Sequence, residues 1–499
     1  MRLSKLLFRT FLFLLPPALL ATAYLYLYPL VKQCGFPTPP TTGQPAPFRL
    51  LALADPQLEG DTSLPDPNDA VLPHLEKFWK DIEKGADFGT LKEDGRRLFV
   101  EDIPRAFQTY RKRLDLWGND LYLAHVYRSM QWFAEPTHVA VLGDLLGSQW
   151  IGDEEFTSRS ERFWGRVFKG GEKVPEGIMD KEGVHKEVLG RDKSWRNRII
   201  AVAGNHDVGY AGDLDEHRVR RFEDAFGKVN WEVRFNLDDS DFVTASNDSG
   251  SIRPSLRLVV LNSMNLDEPA KHQILQEEGL NYLNQKFYWE LPPSDTATIL
   301  LTHIPLYKEE DVCVDGPFFD YFPDHHGGGI KEQNHLSYGV SERILEGIMG
   351  PERSRKGIIL NGHDHEGCQS YHSKPREMDL DAMTDGSPPV EDKWEAVKYS
   401  EAGPRIADSS LMGLREVTVR SMMGSFDGNA GLLSAWWDSQ AKEWKFEYSH
   451  CICGVQHIWW AVHVFDIIVL AIGWLALSEA IVEDLLKSSK SVSREKKTA

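Results

Sequence analysis

The sequence predicts an α/β domain carried between two membrane-spanning helices. Three observations lead there. Short apolar runs of strand length alternate with helical stretches from residue 48 to residue 450, a pattern that builds sheets covered by helices. Five of those runs end in residues that can bind a cation: Asp55-Pro56-Gln57, Gly143-Asp144, Asn205-His206-Asp207, Thr302-His303 and Gly362-His363-Asp364-His365. Binding groups at the carboxyl ends of strands are where open α/β sheets place their sites. Finally, each end of the chain carries a run of 20 uninterrupted or nearly uninterrupted apolar residues, 11–30 and 458–477.

Taken in order, residues 1–10 carry Arg2, Lys5 and Arg9 and are expected in the cytoplasm, since basic flanks stay on that side. Residues 11–30 match the thickness of a bilayer core and end in an aromatic belt of Tyr24, Tyr26 and Tyr28. They exceed the usual apolar core of a cleaved signal peptide, so a retained anchor is expected. Residues 34–47 contain Pro37, Pro39, Pro40, Pro45 and Pro47 and read as a linker. Strands are expected at 48–54, 137–143, 199–203, 256–262, 296–302 and 356–360, each an apolar run of strand length. Helical spacing appears around Leu75–Trp79, over 107–116, separately over 121–133, and again over 150–168 and 219–226. Residues 169–193 and 309–337 read as loops. Residues 376–402 are acidic and poor in apolar side chains, a composition that predicts disorder. Residues 417–422, 432–437 and 444–448 alternate and are expected to close the domain as antiparallel strands. In the second apolar run, His463 and Asp466 share one helix face. Ionisable groups at that depth are expected to face protein, here the first span. Lys487, Lys490, Arg494, Lys496 and Lys497 follow, so residues 482–499 are also expected in the cytoplasm, with residues 48–450 in a lumen. Asn247-Asp248-Ser249 is a glycosylation sequon in that lumenal part.

Charge narrows the function classes. There are 56 Lys and Arg against 75 Asp and Glu, a net −19, which argues against a protein that grips nucleic acid by its phosphates. Phosphate chemistry stays open, because a bound cation can supply positive charge locally. The five cysteines contain no CxxC pair, so a structural zinc cage is not expected; a Cys313–Cys368 bridge fits if the compartment is oxidising.

A lone Asp after a strand is usually a turn or cap, and a lone buried His is usually a satisfied core residue. Five such clusters in one order change that reading. Asp55, Gln57, Asp144, Asn205, His303, His363 and His365 are the inventory of a two-metal hydrolase, with hard oxygens and imidazoles and no thiolate. The pattern Asp-x-Gln, Gly-Asp, Gly-Asn-His-Asp, His, Gly-His-x-His resembles the calcineurin-like metallophosphoesterase superfamily, with Gln57 where the superfamily commonly has His. The resemblance implies a four-layer α/β/β/α sandwich. It implies one divalent ion held by Asp55, Gln57, Asp144 and His365 and a second by Asp144, Asn205, His303 and His363, bridged by Asp144. The Gln57 carboxamide oxygen favours Mn2+, with Zn2+ or Fe as alternatives. The resemblance further implies that His206 donates a proton, with Asp207 orienting it, while water attacks phosphorus.

Two flanking spans, the Asp-Pro-Gln block and a terminal Lys496-Lys497 at dilysine spacing look like a narrower group. These are the fungal endoplasmic reticulum phosphodiesterases that remodel the glycan of GPI anchors. That resemblance implies removal of an ethanolamine-phosphate branch from a mannose, the second rather than the first, on GPI-anchored proteins bound for export, with cargo-receptor machinery as a partner. Asp320, Tyr321, Asp324, His325 and His326 are expected to hold the substrate's ammonium by charge and ring faces. Two other readings use the same residues: a lumenal phosphohydrolase of another lipid or soluble ester, and a non-catalytic trafficking factor with a structural metal.

Overall fold

The computed structural model describes residues 3–40, 43–60, 70–179, 183–238, 254–313, 318–376 and 392–498, with side chains to residue 487. Asn247 lies outside the described residues, as do the side chains of Lys496 and Lys497.

Two sheets face each other. The first holds six strands in the order β16 (Glu443–Val455), β15 (Asp427–Asp438), β1 (Phe48–Leu53), β2 (His138–Leu142), β5 (Arg198–Val202) and β3 (Glu172–Lys173). The second holds eight, in the order β13 (Glu395–Lys398), β12 (Cys368–Pro375), β14 (Leu411–Thr418), β11 (Gly357–Asn361), β8 (Thr296–Leu301), β7 (Ser255–Val260), β6 (Trp231–Asn236) and β4 (His185–Val188). A separate hairpin pairs β9 (Phe319–Tyr321) with β10 (Ile330–Gln333).

Strand alternation makes the layers. Leu50 and Ala52 of β1, Ala140 and Leu142 of β2, Leu258 and Val260 of β7, and Leu360 of β11 join one buried cluster containing side chains of both sheets. Their neighbours Leu51, Val139, Val259 and Ile359 join another, with helix residues such as Val126, Phe163, Phe222, Leu283 and Ile344. Successive side chains point to opposite faces, so the central strands are buried on both sides and read as unbroken apolar runs. The result is helix, sheet, sheet, helix. β1, β2 and β5 are mutually parallel, as are β7, β8, β11 and β14.

Several expectations are corrected. Residues 107–116 and 121–133 belong to one helix, Ile103–Phe133. Gly118 reads as a breaker, but a Cβ there would stand 1.7 Å from the Trp460 ring, so the glycine permits a close crossing of the C-terminal helix. Residues 169–193 contain β3 and β4, and residues 309–337 contain the β9–β10 hairpin. Within 376–402, residues 377–391 lie outside the described set; the remainder is ordered around buried Trp394, and β13 extends the sheet. The strand expected at 417–422 is β14, which ends at Thr418 and runs parallel to β11 and antiparallel to β12. A Cys34–Cys451 bridge ties the linker to β16, in addition to Cys313–Cys368.

The helices Leu3–Tyr26 and Gln456–Lys487 are long and apolar enough to cross a membrane. They pack on each other: Thr22 Oγ1 donates to Asp466 Oδ2 at 2.7 Å, and Tyr26 Oη lies 3.2 Å from His463 Nε2. His463 and Asp466 therefore do face the first helix.

Beneath the His363 loop lies a buried ionic group. Glu416 is fully buried and meets Lys308 at 2.8 Å and His372 at 2.6 Å; its other oxygen accepts Asn361 Nδ2 at 2.6 Å and the Leu306 N–H at 2.8 Å. Burial opposes the charge, but Lys308 and His372 outweigh it and hold the carboxyl well below its ordinary range. A folded pKa below the unfolded one stabilises the fold above pH ~4.3 and is lost only as pH falls through the folded value. Glu416→Leu strands a buried ammonium and is expected to destabilise the protein by about 3–5 kcal/mol at neutral pH. Denaturant unfolding of the full chain in detergent measures this; a change within ~0.5 kcal/mol, as for an ordinary surface substitution, contradicts it.

Candidate metal centre

The carboxyl ends of β1, β2, β5, β8 and β11 point to one edge of the sandwich, and each delivers a cation-binding side chain. Asp55 and Gln57 follow β1, Asp144 follows β2, Asn205 follows β5, His303 follows β8, and His363 and His365 follow β11. The structure brings all seven together. Asp144 Oδ2 lies 3.1 Å from Gln57 Nε2, which lies 3.1 Å from His365 Nε2. Asn205 Oδ1 lies 3.0 Å from both His303 Nε2 and His363 Nδ1, and His303 Nε2 is 3.3 Å from Asp144 Oδ1. Ligand atoms of Asp55, Asp144 and His303 all fall within 4.8 Å of one another.

The glycines of the motifs make this convergence possible. A Cβ on Gly143 would stand 2.1 Å from His303 Nδ1, and one on Gly204 would stand 2.2 Å from the Asp144 backbone nitrogen. Each motif's glycine therefore clears space for a binding residue of another motif. The backbone is also held in an uncommon conformation, with φ of 47° at Asp55, 40° at Gln57, 50° at Asp144 and 74° at His363. Left-handed non-glycine residues cost of order 1–3 kcal/mol each and gather where side chains must be aimed.

The residues fit a divalent cation on three counts. Asn205 Oδ1 stands 3.0 Å from His303 Nε2 and His363 Nδ1, and His303 Nε2 stands 3.3 Å from Asp144 Oδ1, spacings that match the edges of a coordination shell with bonds of about 2.0–2.2 Å, while Gln57 presents its Nε2 and would turn its amide to offer oxygen. The imidazoles are fixed by carbonyls, which can only accept: His303 Nδ1 donates to Leu142 O at 2.7 Å and His363 Nε2 donates to Gln333 O at 2.9 Å. That leaves His303 Nε2 and His363 Nδ1 free to face inward, the usual arrangement for a ligating histidine. The charge balance also calls for a cation. Burial lifts the Asp55 carboxyl well above its usual range against the pull of His303, and Asp144 adds to the lift. Burial opposes charge on Asp144 too, but His303 holds it low, while Asp144 in turn raises His303 to about 9 despite burial. Burial pushes His363 down to about 3, which keeps the imidazole neutral.

His206 stands beside this group. Its backbone N–H donates to Asp144 Oδ1 at 2.8 Å, its Nε2 is 3.7 Å from Asp144 Oδ2, and its Nδ1 has no hydrogen-bond partner among the described residues. The expectation that Asp207 orients this ring is corrected. The Asp207 carboxylate is fully buried and accepts three backbone N–H groups, from Gly204, Leu145 and Leu146. It ties the Asn205 turn to the Asp144 turn. Burial, with Asp144 second, pushes its pKa up to about 7.

The centre opens into a cleft of about 760 Å³ lined by Trp150, Tyr210, Phe322, Lys331, Glu332 and Glu366 among others. None of the five residues expected to hold the substrate lines it. Asp320 is paired with Lys331 at 2.7 Å, and Tyr321 lies parallel to Phe319. Asp324 begins a short turn, and His325 and His326 pack on each other at 4.3 Å, exposed. The hairpin instead sends Phe322, Lys331 and Glu332 to the cleft. Sequence reasoning also missed Gln333 and Glu416, the supports of the His363 loop; a carbonyl acceptor leaves no signature in the sequence.

No family model matches the chain. Protein TED1 of Saccharomyces cerevisiae is 34% identical over 416 residues, covering 74% of this chain and 79% of its own. An uncharacterised protein of Schizosaccharomyces pombe is 27% identical over 407 residues, covering 74% and 82%. Metallophosphoesterase 1 of Mus musculus is 23% identical over 301 residues, covering 59% and 66%.

Proposed function

We propose a function from one premise: the chain belongs to the calcineurin-like metallophosphoesterases, the group that holds Protein TED1 and Metallophosphoesterase 1. It is a phosphoesterase that uses divalent metal. The finer reading is a dinuclear phosphodiesterase that removes an ethanolamine-phosphate branch from a mannose, the second, of the GPI glycan in the endoplasmic reticulum lumen, in support of export of the anchored protein. The observation that carries the catalytic part is the convergence of the seven side chains, with His206 Nε2 3.7 Å from Asp144 Oδ2 at their rim.

Asp55, Gln57, Asp144 and His365 would hold one ion and Asp144, Asn205, His303 and His363 the other, Mn2+ first among the candidates. When bound, the ions lower the pKa of water and neutralise charge on the phosphoryl oxygens. Water adds to phosphorus, and the bond between phosphorus and the mannose oxygen breaks. His206 passes its proton to that oxygen, so the products are a free mannose hydroxyl and ethanolamine phosphate. Glu332 and Glu366, exposed in the cleft, match the substrate's ammonium, and Phe322 offers it a ring face. Disulfides Cys34–Cys451 and Cys313–Cys368 fit an oxidising lumen. Terminal helices that pack together fit two spans with both chain ends in the cytoplasm. Glycosylation at Asn247 and retrieval through Lys496 and Lys497 belong to the same proposal.

Mass analysis of GPI glycans from cells lacking the chain tests this. The expected result is accumulation of anchors bearing one extra ethanolamine-phosphate on the second mannose, reversed by the wild-type chain. Unchanged glycans overturn the substrate assignment while leaving the metallophosphoesterase premise intact.

A further inference from the structure

A second cavity, of about 480 Å³, lies apart from the metal centre, where the long helix Ile103–Phe133 meets the end of the N-terminal helix and the start of the C-terminal one. Its volume falls in the range of ligand sites. Its walls are mainly apolar: Leu27, Trp117, Leu121, Phe133, Trp460 and Ile467. Set among them are polar atoms without partners. His125 lines the cavity, is only 6% exposed, and has no hydrogen bond at either ring nitrogen among the described residues. Trp459, 5% exposed and also lining the cavity, has an unpartnered Nε1–H. Buried polar atoms are rarely left unsatisfied, and each one costs free energy unless something answers it.

The cavity has an approach from the bilayer. Along the long helix, Ile103, Phe107, Tyr110, Leu114 and Trp117 are 44%, 71%, 56%, 53% and 47% exposed. Their spacing places them on one face, and the same face continues through Leu121 and His125 into the cavity, with Arg128 and Trp132 exposed at its far end. A soluble protein seldom shows so long an apolar stripe to water. Its continuity with two helices long and apolar enough to span a membrane identifies lipid as the medium it meets.

We propose that this cavity is a lipid site. It takes an acyl chain of a membrane glycerophospholipid between Trp117, Leu121, Phe133 and Ile467, with the ester or phosphate oxygens of that lipid accepting from His125 and Trp459. Arg128, exposed at the mouth, supplies positive charge for the phosphate. Burial pulls the His125 pKa down to about 4, so its ring is neutral and offers one donor and one acceptor. This site rests on the terminal helices being membrane spans and is independent of the phosphodiesterase reading.

The test is photolabelling of the full chain in phosphatidylcholine nanodiscs doped with a phosphatidylcholine, or in a second arm a phosphatidylinositol, carrying a diazirine on one acyl chain. The expected result is label concentrated on residues 117–133 and 459–467 above the other lipid-facing residues of the two spans. Label from both probes identifies bulk phospholipid; label from the inositol lipid alone identifies a lipid of the substrate's class. Ser129→Trp, which fills the cavity, should abolish that label and leave the label on residues 5–20 unchanged. His125→Phe keeps the ring and should weaken retention about three- to tenfold, the value of one or two hydrogen bonds. Even labelling of all lipid-facing surfaces in the wild-type chain overturns the proposal without recourse to a variant, as does undiminished label in folded Ser129→Trp.

Discussion

Asp144→Asn is expected to lower kcat/KM toward a model phosphodiester such as bis-nitrophenyl phosphate by about 10³-fold or more, a loss larger than that of a single oxyanion donor. Asp144 stands between the two groups of donors, each of its oxygens facing one of them. It meets Gln57 at 3.1 Å on one side and His303 at 3.3 Å on the other, and it accepts the His206 backbone N–H. The amide keeps the shape and one oxygen but loses the charge that offsets a pair of cations. Bound metal per chain, measured by elemental analysis after exhaustive dialysis, should fall in step with activity. Full activity together with unchanged metal content would remove Asp144 from the centre and with it the shared-ligand reading.

His206→Gln should behave differently. Its ring lies outside the ring of donors, so metal content is expected to remain at the wild-type value while kcat falls by about 10²–10⁴-fold for an alkyl phosphodiester, the usual contribution of a positioned acid. The loss should be much smaller for a nitrophenyl ester, whose leaving group departs without a proton. That contrast separates proton donation from simple binding. An equal loss for both leaving groups would mean that the imidazole only holds the phosphoryl group. Because the Asp207 carboxylate is occupied by three backbone N–H groups, the ring depends on its own backbone contact with Asp144 for position.

The strands that reach the centre were legible because both of their faces are buried. Val139–Leu142 and Ile199–Val202 meet apolar neighbours on either side, so each reads as an apolar run with a polar residue at its end. The strands that were missed or only partly placed, β6, β12 and β14, carry charged or polar groups into the interior. Glu232 of β6 pairs with Arg257 of β7, both side chains almost wholly buried. β12 contributes His372 and Ser370, and β14 contributes Glu416, to one buried polar group. In isolation such segments look exposed; only the partner across the sheet makes their burial tolerable. The substrate-facing residues were misjudged for a related reason. Asp320 and Glu332 are paired across the β9–β10 hairpin, but Asp320 is engaged by Lys331 and only Glu332 lines the cleft, so ion pairing and the placement of the hairpin, not composition, decide which carboxylate is offered there.

The chain itself determined the chemistry on offer: which oxygens and imidazoles are available, in what order, and that each block stands at the end of an apolar strand, three of them with a glycine at the turn, Gly143, Gly204 and Gly362. Those features are local, and local interactions are written in neighbouring residues. The meeting of Asp55 with His363, 308 positions apart, was decided by the stacking of two sheets. So were the aim of His303 and His363 at carbonyls, the role of Asp207 as a tie between turns, and the close crossing of the C-terminal helix at Gly118. These depend on contacts between residues far apart in the chain, whose energies no single segment contains.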